Sequence, residues 1–340
     1  MDARPKISVV LPVRNAAASL GAALESVRAQ TFADWELIVV NDGASDETAA
    51  ILNKFAAAEP RIRVLIQPPL GIVRALKLGC AQARGACVAR MDADDLMLPE
   101  RLEKQFRFLE EHPGFSVVSS RVKYGGDVSL QNGYALHVEW VNSLLAPESM
   151  ELRRFVESPV AHPSVMFRRS LLQRFGGYQE GDFPEDYELW LHWMDQGVRF
   201  AKLDEELLVW NDLPDRLSRA DLRYCLDAFY RIKCHYLARW IRDHVELSRE
   251  IWLWGAGRIT RKRFRTLECE GIDISGFIDV DDKKIGTLPD KRAVVLPSDM
   301  PPARRSFIVA GVGSRGARDY ICGCLEKAKR QEGRDFVLAA

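Results

Sequence analysis

Three carboxylates fall within four residues at Asp92-Ala93-Asp94-Asp95, directly after the apolar run Ala86-Cys87-Val88-Ala89. Acids packed this closely are costly unless something cationic sits among them. Hard divalent ions want carboxylate oxygens, and Mg²⁺ is usually held by one or two carboxylates together with substrate phosphates. The chemistry implied is activation of a phosphorylated leaving group by a metal ion. A solvated acidic turn ahead of a helix near Pro99 would account for the same residues without chemistry. The apolar run reads as a buried strand, and open α/β sheets bind ligands at the carboxyl ends of strands.

Other chemistry-bearing residues follow the same plan. Asn15 comes after the apolar run Ile7–Pro12, and Asp42 after Leu37–Val40. A carboxylate such as Asp42 can accept hydrogen bonds from a base imide or from ribose hydroxyls. An in-line displacement also needs a carboxylate away from the metal to take the acceptor's proton. Glu185-Asp186, behind Pro184 at the mouth of a helix carrying Trp190 and Trp193, could supply it. Acids at a helix N-terminus are equally accounted for by the helix dipole. His162 could orient acceptor or phosphate, or simply serve structure. Trp190 is either core or an aromatic face on the acceptor side.

The elements that must position these residues alternate. Strands are expected at 7–12, 36–42, 63–66 and 86–91, with helices at 16–30, 71–83 and from Pro99 to Leu109. Ser45 is the expected N-cap of a further helix, with Asp46 and Glu47 in its first turn. Alternation of this kind predicts a mostly parallel sheet covered on both faces. Beyond residue 115 it loosens into strands at 115–124 and 164–168 and a helix from Tyr187 to Gln196 stopped by Gly197. Residues 216–246 read as amphipathic helix, and a second βα pattern starts at Ile251. The expected division is a catalytic α/β domain at 1–212, a helical bridge at 213–247 and a small α/β domain at 248–340.

At 340 residues, two domains are the prior. The chain has zero net charge, but residues 1–212 carry 23 Lys and Arg against 30 acids, and residues 213–340 carry 25 against 18. Seven cysteines without a C-x-x-C pair point to reduced thiols in a cytoplasmic protein, neither a disulfide framework nor a zinc site. No apolar run is long enough to span a membrane, and a strand starts too early for a signal peptide. The basic residues of 216–242, among them Arg216, Arg219, Arg223 and Arg231, are diluted by Asp215, Asp221, Asp227 and Asp243. Packing with a solvated face is therefore expected there, with at most peripheral membrane contact. No nucleic-acid-binding module surrounds the charge.

Taken together, Ile7–Asn15, Val39–Asp46, Ala89–Asp95, Pro99–Gln105, His162–Met166 and Pro184–Trp190 resemble family 2 of the glycosyltransferases over about the first 240 residues. That resemblance implies a GT-A fold and transfer of a sugar from a nucleotide-diphosphate donor, most often UDP-linked, with inversion. The acceptor would be a hydroxyl of a saccharide or lipid-linked saccharide. It also implies donor contacts from Pro12, Arg14, Asn15, Asp42, Arg74, Asp92 and Ala93. Asp94 would be the more direct metal ligand, and Asp186 the general base beside Glu185. Arg14 and Lys77 depart from the family's usual residues and would add positive charge near the diphosphate.

The last ninety residues carry a strand and glycine turn at Trp252-Leu253-Trp254-Gly255-Ala256-Gly257, with Asp279 downstream. This is close to a dinucleotide fingerprint, although Thr260 replaces its third glycine. A second turn, Gly311-Val312-Gly313, again follows a strand. The unit resembles the compact Rossmann-like domain of bacterial sugar acyltransferases. A nucleotide or nucleotide-sugar could bind at Gly255, Gly257, Gly311, Gly313 and Asp279, or the unit could only dock. No catalytic partners for an NAD-dependent oxidoreductase are present. A sugar-nucleotide nucleotidyltransferase would want a basic glycine-rich loop after the first strand, and Asn15-Ala16-Ala17-Ala18 supplies none. A catalytically inactive nucleotide-sugar-binding scaffold is the remaining alternative, set against the presence of all four acids.

Overall fold

Runs of β-branched and aliphatic residues in the first ninety positions become buried strands whose carboxyl ends share one edge. The computed structural model describes residues 4–127, 132–213, 219, 221–288, 291–314 and 316–340. In chain order they form β1 (Ile7–Val13), α1 (Leu20–Arg28), β2 (Trp35–Asp42), α2 (Thr48–Ala58), β3 (Ile62–Gln67), α3 (Ile72–Gln82) and β4 (Cys87–Arg90). There follow β5 (Leu96–Met97), α4 (Arg101–Glu111), β6 (Val117–Tyr124), α5 (Asn132–Ser143) and α6 (Pro147–Arg153). Next come β7 (Met166–Arg168), α7 (Ser170–Arg174), α8 (Glu185–Asp195) and β8 (Phe200–Trp210). The remainder holds the helix Leu226–His244, β9 (Glu250–Trp254), the helix Arg258–Cys269, β10 (Ile274–Ile278), β11 (Gly286–Thr287), β12 (Ala293–Val295), β13 (Ser306–Ala310), the helix Ala317–Lys327 and β14 (Phe336–Leu338).

The chain divides into two compact units. The first comprises Met1–Met150, Pro159–Gly181 and Gln196–Ala220; the second comprises Glu151–Ser158, Asp182–Asp195 and Asp221–Ala340. The segment expected as a bridge contributes its helix, Leu226–His244, to the second unit. There it buries Tyr230, Ile232, Tyr236, Leu237 and Trp240. Asp215 and Arg216 lie outside the described residues.

The sheet of the first unit has the order β3-β2-β1-β4-β7-β6-β8-β5. Its first four strands are parallel, and β7 is antiparallel to both its neighbours. Every residue of β1 and β2 is buried, as strands covered on both faces require. α3 lies close against them: a Cβ on Gly79 would stand 2.5 Å from Val10 Cγ1. The order reverses between β1 and β4, the switch point at which such sheets take ligands. Two helix starts differ from expectation. α4 begins at Arg101, with Pro99 ahead of it, and α2 begins at Thr48, where Asp46 Oδ1 accepts from the Thr48 N–H at 3.0 Å. Ser45 is drawn off by Asn15, whose Oδ1 accepts its N–H at 2.8 Å.

The second unit holds a sheet of order β11-β12-β10-β9-β13-β14, parallel except for β11. Its own switch point lies between β9 and β13. No helix among the described residues is long and apolar enough to cross a membrane.

Candidate active site

β4 delivers the acid cluster to the switch point of the first unit. Carboxylate oxygens of Asp92, Asp94 and Asp95 lie within 4.8 Å of one another. The cation that the sequence demanded is partly supplied by the chain itself. Arg90, 1% exposed, donates from Nη2 to Asp92 Oδ1 at 2.5 Å, from Nη1 to the Met91 carbonyl, and from Nε to His162 Nε2 at 3.2 Å. His162 Nε2 also faces the Tyr178 hydroxyl at 2.7 Å. Burial, and then the neighbouring Arg90 charge, hold His162 well below the usual histidine range, so its ring is neutral. Of the two roles expected for His162, these contacts describe the structural one. It is a buried link in a chain from Tyr178 through Arg90 to Asp92.

A second buried arginine fixes the same strand end. Arg101 donates from Nη2 to the Arg90 carbonyl at 2.9 Å and from Nε to Gln105 Oε1 at 3.1 Å. Gln105 Nε2 donates to the Ser164 carbonyl at 2.7 Å. Burial pushes the Arg101 guanidinium down to about 9. Asn211 closes the far side: its N–H donates to Asp95 Oδ1 at 2.8 Å and its Nδ2 to the Asp94 carbonyl at 2.6 Å. Reading the sequence for chemistry missed Arg90, Arg101, Gln105 and Asn211. The available signal was an Arg and a Gln four apart on the buried face of α4.

The expected donor residues separate by burial. Pro12 and Ala93 are buried, whereas Arg14 and Asn15 are exposed. Asn15 adopts φ 49, a left-handed turn that its side chain ties to Ser45. Asp42 is 4% exposed; its Oδ1 accepts from Gln67 Nε2 at 2.6 Å and from the Leu70 N–H at 2.8 Å, and its Oδ2 accepts from the Gly71 N–H at 2.9 Å. These bonds fasten the 68–71 loop to β2. Arg74 pairs with Glu180 at 2.7 Å, and Lys77 lies 3.9 Å from the same carboxylate. Glu180 therefore offsets part of the positive charge expected at Lys77, while Arg14 is exposed.

In the second unit, α8 sorts its acids. Glu185 is 2% exposed, and the Tyr224 hydroxyl donates to its two oxygens at 2.9 and 2.7 Å. Burial, reinforced by Glu185, raises the Tyr224 phenol, so it stays a donor. Glu188 accepts from the Tyr236 hydroxyl at 2.7 Å. Asp186 is half-buried, with Oδ1 accepting from the Tyr187 N–H at 2.7 Å. Trp190 is fully buried beside Trp193, with ring centroids 5.7 Å apart. Its burial matches the core alternative of the two expected for it.

The glycine turns of the second unit are engaged by their own surroundings. Asp279 Oδ2 accepts from the Ala256 N–H at 2.9 Å, and Lys284 Nζ stands 3.1 and 3.2 Å from its two oxygens. The carboxylate expected to take ribose hydroxyls thus serves the turn itself. A Cβ on Gly311 would come within 2.5 Å of Phe264 Cε2, so packing accounts for that glycine. Gly255, at φ 123, needs glycine for its backbone. Around Gly257 a Cβ would meet nothing within 4 Å, and around Gly313 only Ala340, at 3.6 Å.

Known proteins share the fold of the first unit. The model of glycosyl transferase family 2 matches residues 8–176. The amylovoran biosynthesis glycosyltransferase AmsE of Erwinia amylovora is 32% identical over 188 residues, covering 54% of this chain and 67% of AmsE. The structure of S. aureus TarS 1–349 in complex with UDP-GlcNAc superposes with a TM-score of 0.52 at 18% identity, covering 78% of this chain and 71% of that one. Mannosyltransferase PcManGT of Pyrobaculum calidifontis, in complex with GDP-Man and Mn²⁺, gives 0.50 at 18% identity, covering 80% and 70%. Both structures have its mainly parallel α/β architecture. With its acids at the β1/β4 switch point and the match to AmsE, this chain belongs to glycosyltransferase family 2.

Proposed function

We propose that this glycosyltransferase moves a sugar from a UDP-sugar to a hydroxyl of a saccharide or lipid-linked saccharide, with inversion, during polysaccharide assembly on the cytoplasmic side of the membrane. The observation that carries the reading is the convergence of Asp92, Asp94 and Asp95 at the β1/β4 switch point. The UDP-GlcNAc complex of TarS supports a uridine donor, and the role of AmsE in amylovoran biosynthesis supports the polymer setting. A GDP-sugar is the alternative, on the precedent of PcManGT.

The donor set at the cluster is carboxylate oxygen alone, which fits Mg²⁺ or Mn²⁺. Asp94 and Asp92 would hold the ion, which when bound supplies charge neutralisation to the departing diphosphate. Arg90 holds Asp92 in place for that task. Asp42 keeps an acceptor position on Oδ2 for a nucleoside N–H or hydroxyl. Asn15, Arg14, Pro12, Ala93 and Arg74 complete the proposed donor contacts. Asp186 is the proposed base, taking the acceptor proton as that oxygen attacks the anomeric carbon opposite the leaving group. Its partial exposure favours it over Glu185, whose carboxylate is closed off by Tyr224. The acids Asp279 and Asp42 differ here: the former is neutralised by Lys284, which weakens a nucleotide role for the second unit's turns.

The test is release of free sugar and transfer to an oligosaccharide, assayed across UDP- and GDP-sugars with Mn²⁺, Mg²⁺ or EDTA. Asp94→Asn is expected to lose nearly all turnover. Full activity in EDTA would remove the metal from the reading, and inactivity with every donor would remove the reaction.

A further inference from the structure

The helix Arg258–Cys269 places Arg258, Arg261, Lys262 and Arg265 three and four residues apart, on one face. With Glu268 of the same helix and Arg292 just before β12, they line a cleft of about 440 Å³. Five cations share the cleft with one carboxylate, and that carboxylate is engaged: Arg292 Nη1 donates to Glu268 Oε1 at 2.5 Å. Arg261 keeps a second tie, from Nε to the Ala256 carbonyl at 2.9 Å. Lys262 lies 3.5 Å from Asp227, an exposed pair that adds little. Arg292 also serves the fold, its guanidinium 4.8 Å from the Phe277 ring centroid and its Nη1 3.4 Å from the Ile274 carbonyl. Phe264 and Leu267 bury the opposite face of the helix, and like charges at these spacings destabilise it.

The lining also says what kind of ligand fits. None of the six residues is apolar or aromatic, so a nucleobase would find no surface to stack on. Guanidinium forks match phosphate oxygens two at a time, and several together suit an anion with more than one phosphate. We infer that this cleft binds a diphosphate-class anion, either free in solution or presented as clustered phosphates of lipid headgroups. The site uses none of the residues proposed for sugar transfer and stands apart from that reading.

Pyrophosphate titrated calorimetrically into the full chain, in EDTA so that no metal can carry it to the carboxylate cluster, is the direct test. The wild type should bind, and Arg258→Glu/Arg265→Glu should lose roughly ten-fold or more in affinity with an unchanged unfolding midpoint. Lys262→Glu, a milder exposed change, should lose less and guards against misfolding of the double variant. Flotation with phosphatidylcholine vesicles, with and without about one-third phosphatidylglycerol, separates the sources. Pyrophosphate binding alone assigns a soluble anion, and preference for anionic vesicles assigns lipid phosphates, each lost in the variants. Equal binding by wild type and variants, or UDP binding lost in the variants without any pyrophosphate binding, would overturn the inference.

Discussion

Arg90 decides how the acid cluster is presented. Each of its three nitrogens has a different partner, and only the planar fork of an arginine reaches all of them. Arg90→Lys keeps the charge but gives up that geometry. We expect it to require about ten-fold more Mn²⁺ for half-maximal activity. A residue that merely stabilised the fold would lower the unfolding midpoint and leave the metal titration where it was. A second expectation concerns α8. Asp186→Asn should abolish transfer while still binding donor, and Glu185→Gln, which can keep the Tyr224 bond, should cost far less. The reverse ranking in single-turnover assays would move the base to Glu185. The acids themselves were legible from type and spacing. Arg90 was not, because an arginine at a strand end is ordinarily solvent-exposed and nothing local reveals that this one is buried.

At the level of elements, the central strands were readable because Ile7–Leu11 and Leu37–Val40 are continuous apolar runs, which fold stably only when both faces of the strand are covered. Helix starts were less so: Ser45 looked like a cap, but long-range pairing with Asn15 claimed it. Two buried cations show how elements are pinned. Arg101→Met would strand the Arg90 carbonyl that α4 satisfies, at a cost of roughly 2–4 kcal/mol, visible as a lowered denaturant midpoint. Lys202 on β8 donates to the Val141 and Pro159 carbonyls, and burial pushes its amine down to about 7. Above that pH the folded amine is neutral while the unfolded one still binds a proton, so this residue makes stability rise with pH. The slope should approach about 1.4 kcal/mol per pH unit between roughly pH 7 and 9. Lys202→Met should lack that increment in paired denaturation series; parallel slopes would mean the amine stays charged.

For the whole molecule, the lesson lies in connectivity. A boundary at 212 was reasonable on sequence, since the last of the family's motifs, Pro184–Trp190, precedes it and an amphipathic stretch follows it. The compact units ignore that boundary: 151–158 and 182–195 belong with 221–340. Their ties are long-range, as in Tyr224 to Glu185, Tyr236 to Glu188, and the Tyr187 hydroxyl to the Arg154 carbonyl at 2.5 Å. No local pattern encodes such pairings. A chain ending at residue 220 keeps the whole family match at 8–176 and Asp186, yet lacks both Tyr224 and Tyr236. We expect it to show no transfer and to be cut by protease within 182–195. Full activity of that truncation would mean α8 does not need its bonds from Tyr224 and Tyr236.

The interleaving sets a schedule during synthesis. Residues 182–195 leave the ribosome well before residues 221–340, and at 5–20 residues per second the delay is on the order of ten seconds. For that interval Tyr187 and Leu191 have no finished core to enter. The helix that bears the proposed base is thus made early and housed last. Its nascent form exposes apolar side chains that a chaperone can capture.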